Sequence, residues 1–182
     1  MSDGQKNESP IRLIQRGINV QGLLWSIHCN PHLWNQHTMR TAHPDSPHHG
    51  LDDIWIRYGK GEEAMKGEAH ESEWYEAADV LGVKPFLRDL MRAVDGDVMG
   101  GVLITRIPPG ATCKPHQDLR WHALEYQKYG LQVASAPGQA FCFEGIELET
   151  QPGDLFWFEN QSTHWVINPT NYERITMIAC IK

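Results

Sequence analysis

The sequence predicts a mainly β fold, a jelly-roll or cupin-like double-stranded β-helix with flanking helices. From Val98 onward, short strand patterns follow one another, separated by turn signals. Ahead of them lies a segment with helical apolar spacing, so helices and strands are segregated along the chain rather than alternating. The length, 182 residues, fits one domain of about 100–200 residues, large enough to bury a core without a disulfide or metal staple.

Taken in order, Ile18–Ile27 reads as a strand, and Asn30–Met39 as a short helix capped by Asn30 with Pro31 at its first position. Thr41–Gly50, with Pro44, Pro47 and Gly50, has loop chemistry. Asp53–Tyr58 alternates Ile54, Ile56 and Tyr58 with Trp55 and Arg57, a strand pattern. Between Ser72 and Val94 the spacing turns helical, with Pro85 starting a second helix that carries Phe86, Leu87, Leu90, Met91 and Val94. Strands then follow at Val98–Ile107, Tyr129–Ser135, Gln139–Glu144, Ile146–Thr150, Leu155–Glu159, Thr163–Asn168 and Arg174–Ile181. Residues 1–97 are thus expected to form a mixed buttress and substrate-side segment, and residues 98–182 the β-helix core with the metal site, within one domain.

Composition narrows the function. Sixteen Lys plus Arg stand against 23 Asp plus Glu, for a net charge of −7, and no basic run forms a footprint for a phosphate backbone, which argues against nucleic acid. No stretch approaches about 18 uninterrupted apolar residues, and the opening residues lack an apolar signal core, so a cytoplasmic protein without a membrane span is expected. The four cysteines are scattered, with no Cys-x-x-Cys pair, which suits packed, reduced thiols. Ten histidines and seven tryptophans are the unusual feature.

A non-haem Fe(II) site needs two imidazoles and one carboxylate on one side of the metal, with the opposite positions open. His116-Gln117-Asp118 offers two of these, since residues i and i+2 of a strand point the same way. His43-Pro44-Asp45 is a second His-x-Asp, but its proline-rich loop supplies no strand geometry to make the pair converge; His43, Asp45, His48 and His49 are therefore expected not to be ligands. His164 begins a strand 46 residues after Asp118, and Arg174 lies ten residues further on. If Asn168 pairs with Arg174 across the intervening loop, His164 and Arg174 share a face roughly 13 Å apart at about 3.3 Å per residue. That gap suits 2-oxoglutarate, one end on the metal and the far carboxylate on a guanidinium. Thr176 shares the face and can donate a hydroxyl hydrogen bond.

These residues resemble the aspartyl/asparaginyl β-hydroxylase-like branch of the Fe(II)/2-oxoglutarate-dependent oxygenases over roughly Val102 to Ile181. The resemblance rests on Pro109-Gly110-x-x-x-x-Pro115-His116, on Gly153-Asp154-Leu155-Phe156-Trp157-Phe158-Glu159 leading to His164, and on Arg174 before an apolar last strand. It implies iron ligands at His116 and His164, a co-substrate anchor at Arg174, and Lys128 as the candidate for a further basic contact. Animal members of the branch lack a carboxylate ligand; this chain has Asp118, as does the wider superfamily. The implied activity is hydroxylation of an amino acid, free or in a peptide, with Fe(II), 2-oxoglutarate and O2.

Two other classes fit parts of the pattern: a cupin-like binding module that holds an acidic ligand without turnover, and a zinc enzyme that does not use 2-oxoglutarate, since two His and a carboxylate also suit catalytic zinc. Arg174 and Thr176 downstream of His164 favour the oxygenase. Trp55 and Arg57 on one face of an early strand, and His122 shortly after the metal motif, are the candidate substrate contacts, Arg57 for a substrate carboxylate.

Overall fold

A computed structural model describes residues 9–60 and 69–182. The chain forms eleven strands and four α-helices among these residues: β1 (Ile11–Gln15), α1 (Gln21–Cys29), β2 (Asp52–Tyr58), β3 (Glu73–Trp74), α2 (Glu76–Val80), α3 (Val83–Ala93), β4 (Met99–Ile107), β5 (Thr112–His116), α4 (Trp121–Glu125), β6 (Gln127–Ala134), β7 (Ala140–Phe143), β8 (Ile146–Leu148), β9 (Leu155–Phe158), β10 (His164–Ile167) and β11 (Arg174–Ile181). Seven strands form one sheet in the order β1-β9-β6-β11-β4-β2-β3, and four form a second, β5-β10-β7-β8. All pairings are antiparallel. This is the double-stranded β-helix that the strand pattern predicts. Among the described residues, no helix is long and apolar enough to cross a membrane.

The large sheet serves two interiors because successive side chains of a strand point to opposite faces. On β11, Ile175, Met177, Ala179 and Ile181 join Ile27, Leu87 and Leu90 of the helices in the larger apolar core. On the other face, Phe156 and Phe158 of β9 meet Phe141 and Phe143 of the small sheet, with Ile178 packed against them. Arg174, Thr176, Ile178 and Cys180 are therefore the inward set of β11.

Several local expectations change. Ile18–Ile27 is helical from Gln21: Val20, Leu23 and Ile27 are buried, and the spacing i, i+3, i+7 is a helix stripe. Asn30 ends that helix instead of capping the next, its amide donating to the Ser26 carbonyl at 2.9 Å. Only a single 3-10 turn, Pro31–Leu33, follows, and Asn35 at φ 58° prevents its extension. β10 and β11 do not form a hairpin: β10 pairs with β5 and β7, and β11 with β4 and β6. The loop between them crosses from one sheet to the other, which removes the 13 Å ladder from His164 to Arg174.

One turn fixes the approach of the helical layer. Gly153 adopts φ +90°, and an added Cβ would sit 2.4 Å from the Ile18 carbonyl oxygen; its own carbonyl accepts from Ile18 N–H at 3.0 Å. Gly153→Ala is expected to cost about 2–4 kcal/mol through positive φ and backbone collision together. Gly110→Ala, also at positive φ but with nothing within 4 Å of the new Cβ, should cost only about 1–2 kcal/mol. Urea unfolding midpoints of the two variants check the difference.

Candidate metal centre

His116 closes β5, an edge strand of the small sheet that accommodates Pro115. His164 opens β10 directly opposite it in register, with ring centroids 4.4 Å apart. Asp118 lies beyond the end of β5, so the two-residue period of a strand does not place it. Its backbone N–H donates to the Asn160 carbonyl at 2.9 Å, which pins the turn. The carboxylate then faces both rings: Oδ1 is 4.0 Å from His116 Nε2, and Oδ2 is 3.8 Å from His164 Nε2. One ligand atom from each of the three residues falls within 4.8 Å of the others.

The tautomers follow from the backbone. His116 Nδ1 lies 2.8 Å from the Lys114 carbonyl and His164 Nδ1 lies 2.9 Å from the Ser162 carbonyl. A carbonyl only accepts, so each Nδ1 carries the proton and a neutral ring presents the Nε2 lone pair towards Asp118. Such a bond to the far ring nitrogen is the usual support of a metal-binding imidazole. Burial lowers both histidines, His164 to about 4 against the opposing pull of its Ser162 bond. His164 is enclosed by Phe141, Phe143 and Phe158. Burial would raise the Asp118 carboxyl, but Lys128 and then the two histidines outweigh it and hold it below its ordinary value. Lys128 Nζ donates to Asp118 Oδ2 and is held charged by that partner despite burial. The donor set of two neutral imidazoles and one carboxylate fits Fe(II), with zinc also compatible.

A second cluster, His48, Cys113 and His116, also brings possible ligand atoms together. It is the poorer metal site, because burial pushes the Cys113 thiol up to about 12 and His116 Nδ1 is committed to Lys114. The loop 41–50 has no strand geometry, as expected, yet it is held in place. Ser46 Oγ donates to the Arg40 carbonyl at 2.6 Å, His48 N–H donates to Ser46 Oγ, and Lys114 N–H donates to the Pro47 carbonyl. The docked loop sets His48 against His116, centroids 4.8 Å apart. His43 and Asp45 stay at the surface, their side chains 67% and 93% exposed.

Two cavities meet at the centre. An inner one of about 80 Å³ lies between the sheets, with Thr105, Phe141, Phe158, Val166 and Thr176 on its walls. An outer one of about 510 Å³ opens beyond Asp118, walled by Trp55, Tyr58, Leu103, Trp121 and His122. Arg40, His48, His116, Asp118 and Lys128 border both. Arg174 is fully buried on the inward face of β11, one inward position beyond Thr176. Its Nη2 donates to Thr150 Oγ1 at 3.0 Å, while Nε and Nη1 are buried without a partner among the described residues. Burial lowers it to about 10, so it remains a cation at neutral pH. Thr176 Oγ1 donates to Gln132 Oε1 at 3.2 Å.

Trp55 and His122 line the outer cavity, but Arg57 does not reach it. The register shifts between Trp55 and Arg57, so the guanidinium turns sideways, donates to the Met99 and Ser72 carbonyls and stacks on Trp74. That corrects the expectation of a shared face. Arg40 carried no motif in the sequence; only the long-range docking of its loop reveals it.

No family model matches this sequence, and no curated protein is significantly similar to it. Solved structures do share its fold. A prolyl-4-hydroxylase from Pseudomonas putida superposes with a TM-score of 0.58 at 14% identity, covering 95% of this chain and 92% of its own. A viral collagen prolyl hydroxylase from Paramecium Bursaria Chlorella virus-1, in a complex with 2OG, gives 0.56 at 12% identity, covering 98% of both chains. A 2OG-Fe(II) oxygenase family oxidoreductase from Burkholderia pseudomallei gives 0.56 at 14% identity, covering 74% of this chain and 69% of its own.

The depressed His164 pKa has a signed consequence for metal-free protein. Its ordinary value is 6.5 and its folded value about 4, so the unfolded chain binds the extra proton as pH falls below 6.5. Stability linked to this ring is full above that value and lost as pH drops towards 4. Between pH 7 and 4.5 the parent should lose about 2–3 kcal/mol more than His164→Asn, read as urea midpoints at each pH. Equal losses would remove the buried neutral imidazole.

Proposed function

We propose that the protein is a 2-oxoglutarate-dependent non-haem iron dioxygenase that hydroxylates an amino-acid-type substrate, as the resemblance to the aspartyl/asparaginyl β-hydroxylase-like branch implies. The observation that carries the reading is the convergence of His116, Asp118 and His164, with both imidazoles tied at Nδ1 and open at Nε2. The shared fold of structures described as 2OG-Fe(II) oxygenases and prolyl hydroxylases supports it.

His116, Asp118 and His164 would hold the iron, and Lys128 fixes the carboxylate that serves as the third ligand. Arg174 suits the far carboxylate of 2-oxoglutarate. It is a buried guanidinium with no acidic partner among the described residues, and a charge left so is costly until an anion arrives. Thr176, next to it on the inward face, lines the inner cavity beside His116, Asp118 and His164. Lys128 borders the same space, although its first partner is Asp118. When bound, iron with 2-oxoglutarate and O2 supplies the oxidation that converts a substrate C–H to C–OH as 2-oxoglutarate becomes succinate and CO2. The protein's share is to orient these groups and to keep water out with the phenylalanines around His164. Trp55 and His122, which line the outer cavity, would contact the substrate.

Two outcomes test this. Anaerobic Fe(II) titration should show one site per chain, severely weakened in His116→Ala and His164→Ala. Equal affinity in all three proteins would exclude the iron centre. Succinate formation against 2-oxoglutarate concentration should show the co-substrate constant raised about 30-fold or more in Arg174→Ala, with partial recovery in Arg174→Lys and near-normal iron content. An unchanged curve for Arg174→Ala would remove the anchor. A parent that binds metal but forms no succinate would instead favour the binding module or the zinc enzyme.

A further inference from the structure

Arg40 enters the barrel from the docked loop and is fixed there by a buried carboxylate. Its Nε donates to Asp53 Oδ2 at 2.9 Å, and its Nη2 donates to Asp53 Oδ1 at 3.3 Å and to Thr105 Oγ1 at 3.1 Å. Thr105 Oγ1 donates in turn to Asp53 Oδ1 at 2.7 Å, and Asp53 is fully buried. The guanidinium plane is thereby set before any ligand binds. Nη1 makes no hydrogen bond to a described residue, and Arg40 borders both cavities beside the metal ligands. A guanidinium held on one edge with a free terminal nitrogen is a preorganised anion site.

Charge balance says which anion remains to be found. In the barrel interior the enclosed cations are Arg40 and Lys128, which border both cavities, and Arg174, which borders neither, and the enclosed carboxylates are Asp53 and Asp118. Arg120 and Asp45 also border the outer cavity, but from its solvent-exposed rim. A divalent metal adds two positive charges and 2-oxoglutarate removes two, leaving the interior with one positive charge uncompensated. A low-dielectric site of that kind favours a further anion. Met39, Leu103, Trp121 and Ile178 give the outer wall an apolar stretch beside its polar lining residues Ser46 and Gln117. Trp55, 3% exposed, lines it too, and its Nε1–H is buried without an acceptor among the described residues. Here a donor awaits a ligand atom.

Resting on the oxygenase reading, we infer that Arg40 is the anchor for a substrate carboxylate, so the substrate is a carboxylic acid with an apolar body, oriented by that carboxylate next to the metal. The carboxylate belongs either to a free amino acid or related small acid, or to an acidic side chain of a peptide. Arg40 then determines specificity, while Arg174 serves the co-substrate.

The test uses the full chain loaded with Zn(II), a diamagnetic stand-in for iron, and N-oxalylglycine, an unreactive mimic of 2-oxoglutarate. Ligand-observed NMR follows binding of the common L-amino acids, their C-terminal amides, and short peptides with and without Asp or Glu. At least one carboxylate probe should bind, and conversion of that carboxylate to the amide should weaken it by about 30-fold or more. Free acids or acidic peptides, whichever bind, identify the source. Arg40→Gln should reduce the acid to the level of its amide while N-oxalylglycine affinity and zinc content stay within about twofold. Because this variant strands buried Asp53, the double variant Arg40→Gln/Asp53→Asn, which removes both charges, should give the same result in a fold with no unpaired carboxylate. Equal binding of acid and amide, retained acid binding in both variants, or no binding by any carboxylate probe would overturn the inference. Loss of N-oxalylglycine from both variants would reassign Arg40 to the co-substrate. A parent that binds carboxylates selectively but takes up no N-oxalylglycine would overturn the oxygenase reading and leave Arg40 supported.

Discussion

The alternating pleat of strand β11 is the constraint on which the rest of the molecule depends. One set of its side chains completes the helix-backed core, and the other set, Arg174, Thr176, Ile178 and Cys180, forms a wall of the barrel interior. A slip of one residue would exchange the two sets, burying Arg174 against the helices and turning Met177 towards the metal ligands. Pairing with β4 on one side and β6 on the other holds the register. The apolar core thus fixes where a charged guanidinium sits, although that guanidinium adds nothing to the core.

Around the metal ligands, electrostatics and geometry pull the same way. Burial drives the two histidines neutral, and neutral is the state in which an imidazole binds a metal. The same burial would neutralise Asp118, and Lys128 prevents it. Arg40 and the buried Asp53 form a second ion pair in the interior. Arg174 alone among these enclosed charges has no opposite partner among the described residues, so the interior is left with excess positive charge. Excess buried charge weakens a fold unless an anion neutralises it.

Much of the late β pattern was legible because Pro-Gly and Asn-Pro turns punctuate it, and the grouping of His116, Asp118 and His164 was legible from residue type and order. Asp118 shows how a residue can converge for a reason other than the one its spacing offered: it meets the two histidines through the turn bond to Asn160, not through a strand period. The early chain was harder to read. Ile18–Ile27 is apolar enough for a strand, and only the burial of Val20, Leu23 and Ile27 on one stripe distinguishes a helix. The β10–β11 connection reads as a hairpin from its length, whereas its ends belong to different sheets. Arg40 and His48 were invisible as site residues because their loop is fixed by bonds to β5, more than sixty positions away in the case of Lys114 and Pro47. No local propensity reports such a contact. Arg57 failed in the opposite sense, its place in an alternating pattern undone by a register shift.

The central claim is that one metal and one dicarboxylate occupy the barrel together, joined by the inward face of β11. A crystal structure of the protein with Mn(II) and N-oxalylglycine, prepared without oxygen, tests it most directly. The account predicts a single metal bonded to Nε2 of His116, Nε2 of His164 and the Asp118 carboxylate, with the far carboxylate of N-oxalylglycine on the Nε and Nη1 edge of Arg174. A metal held instead by His48, Cys113 and His116, or a bound N-oxalylglycine that leaves Arg174 unpartnered, would contradict it.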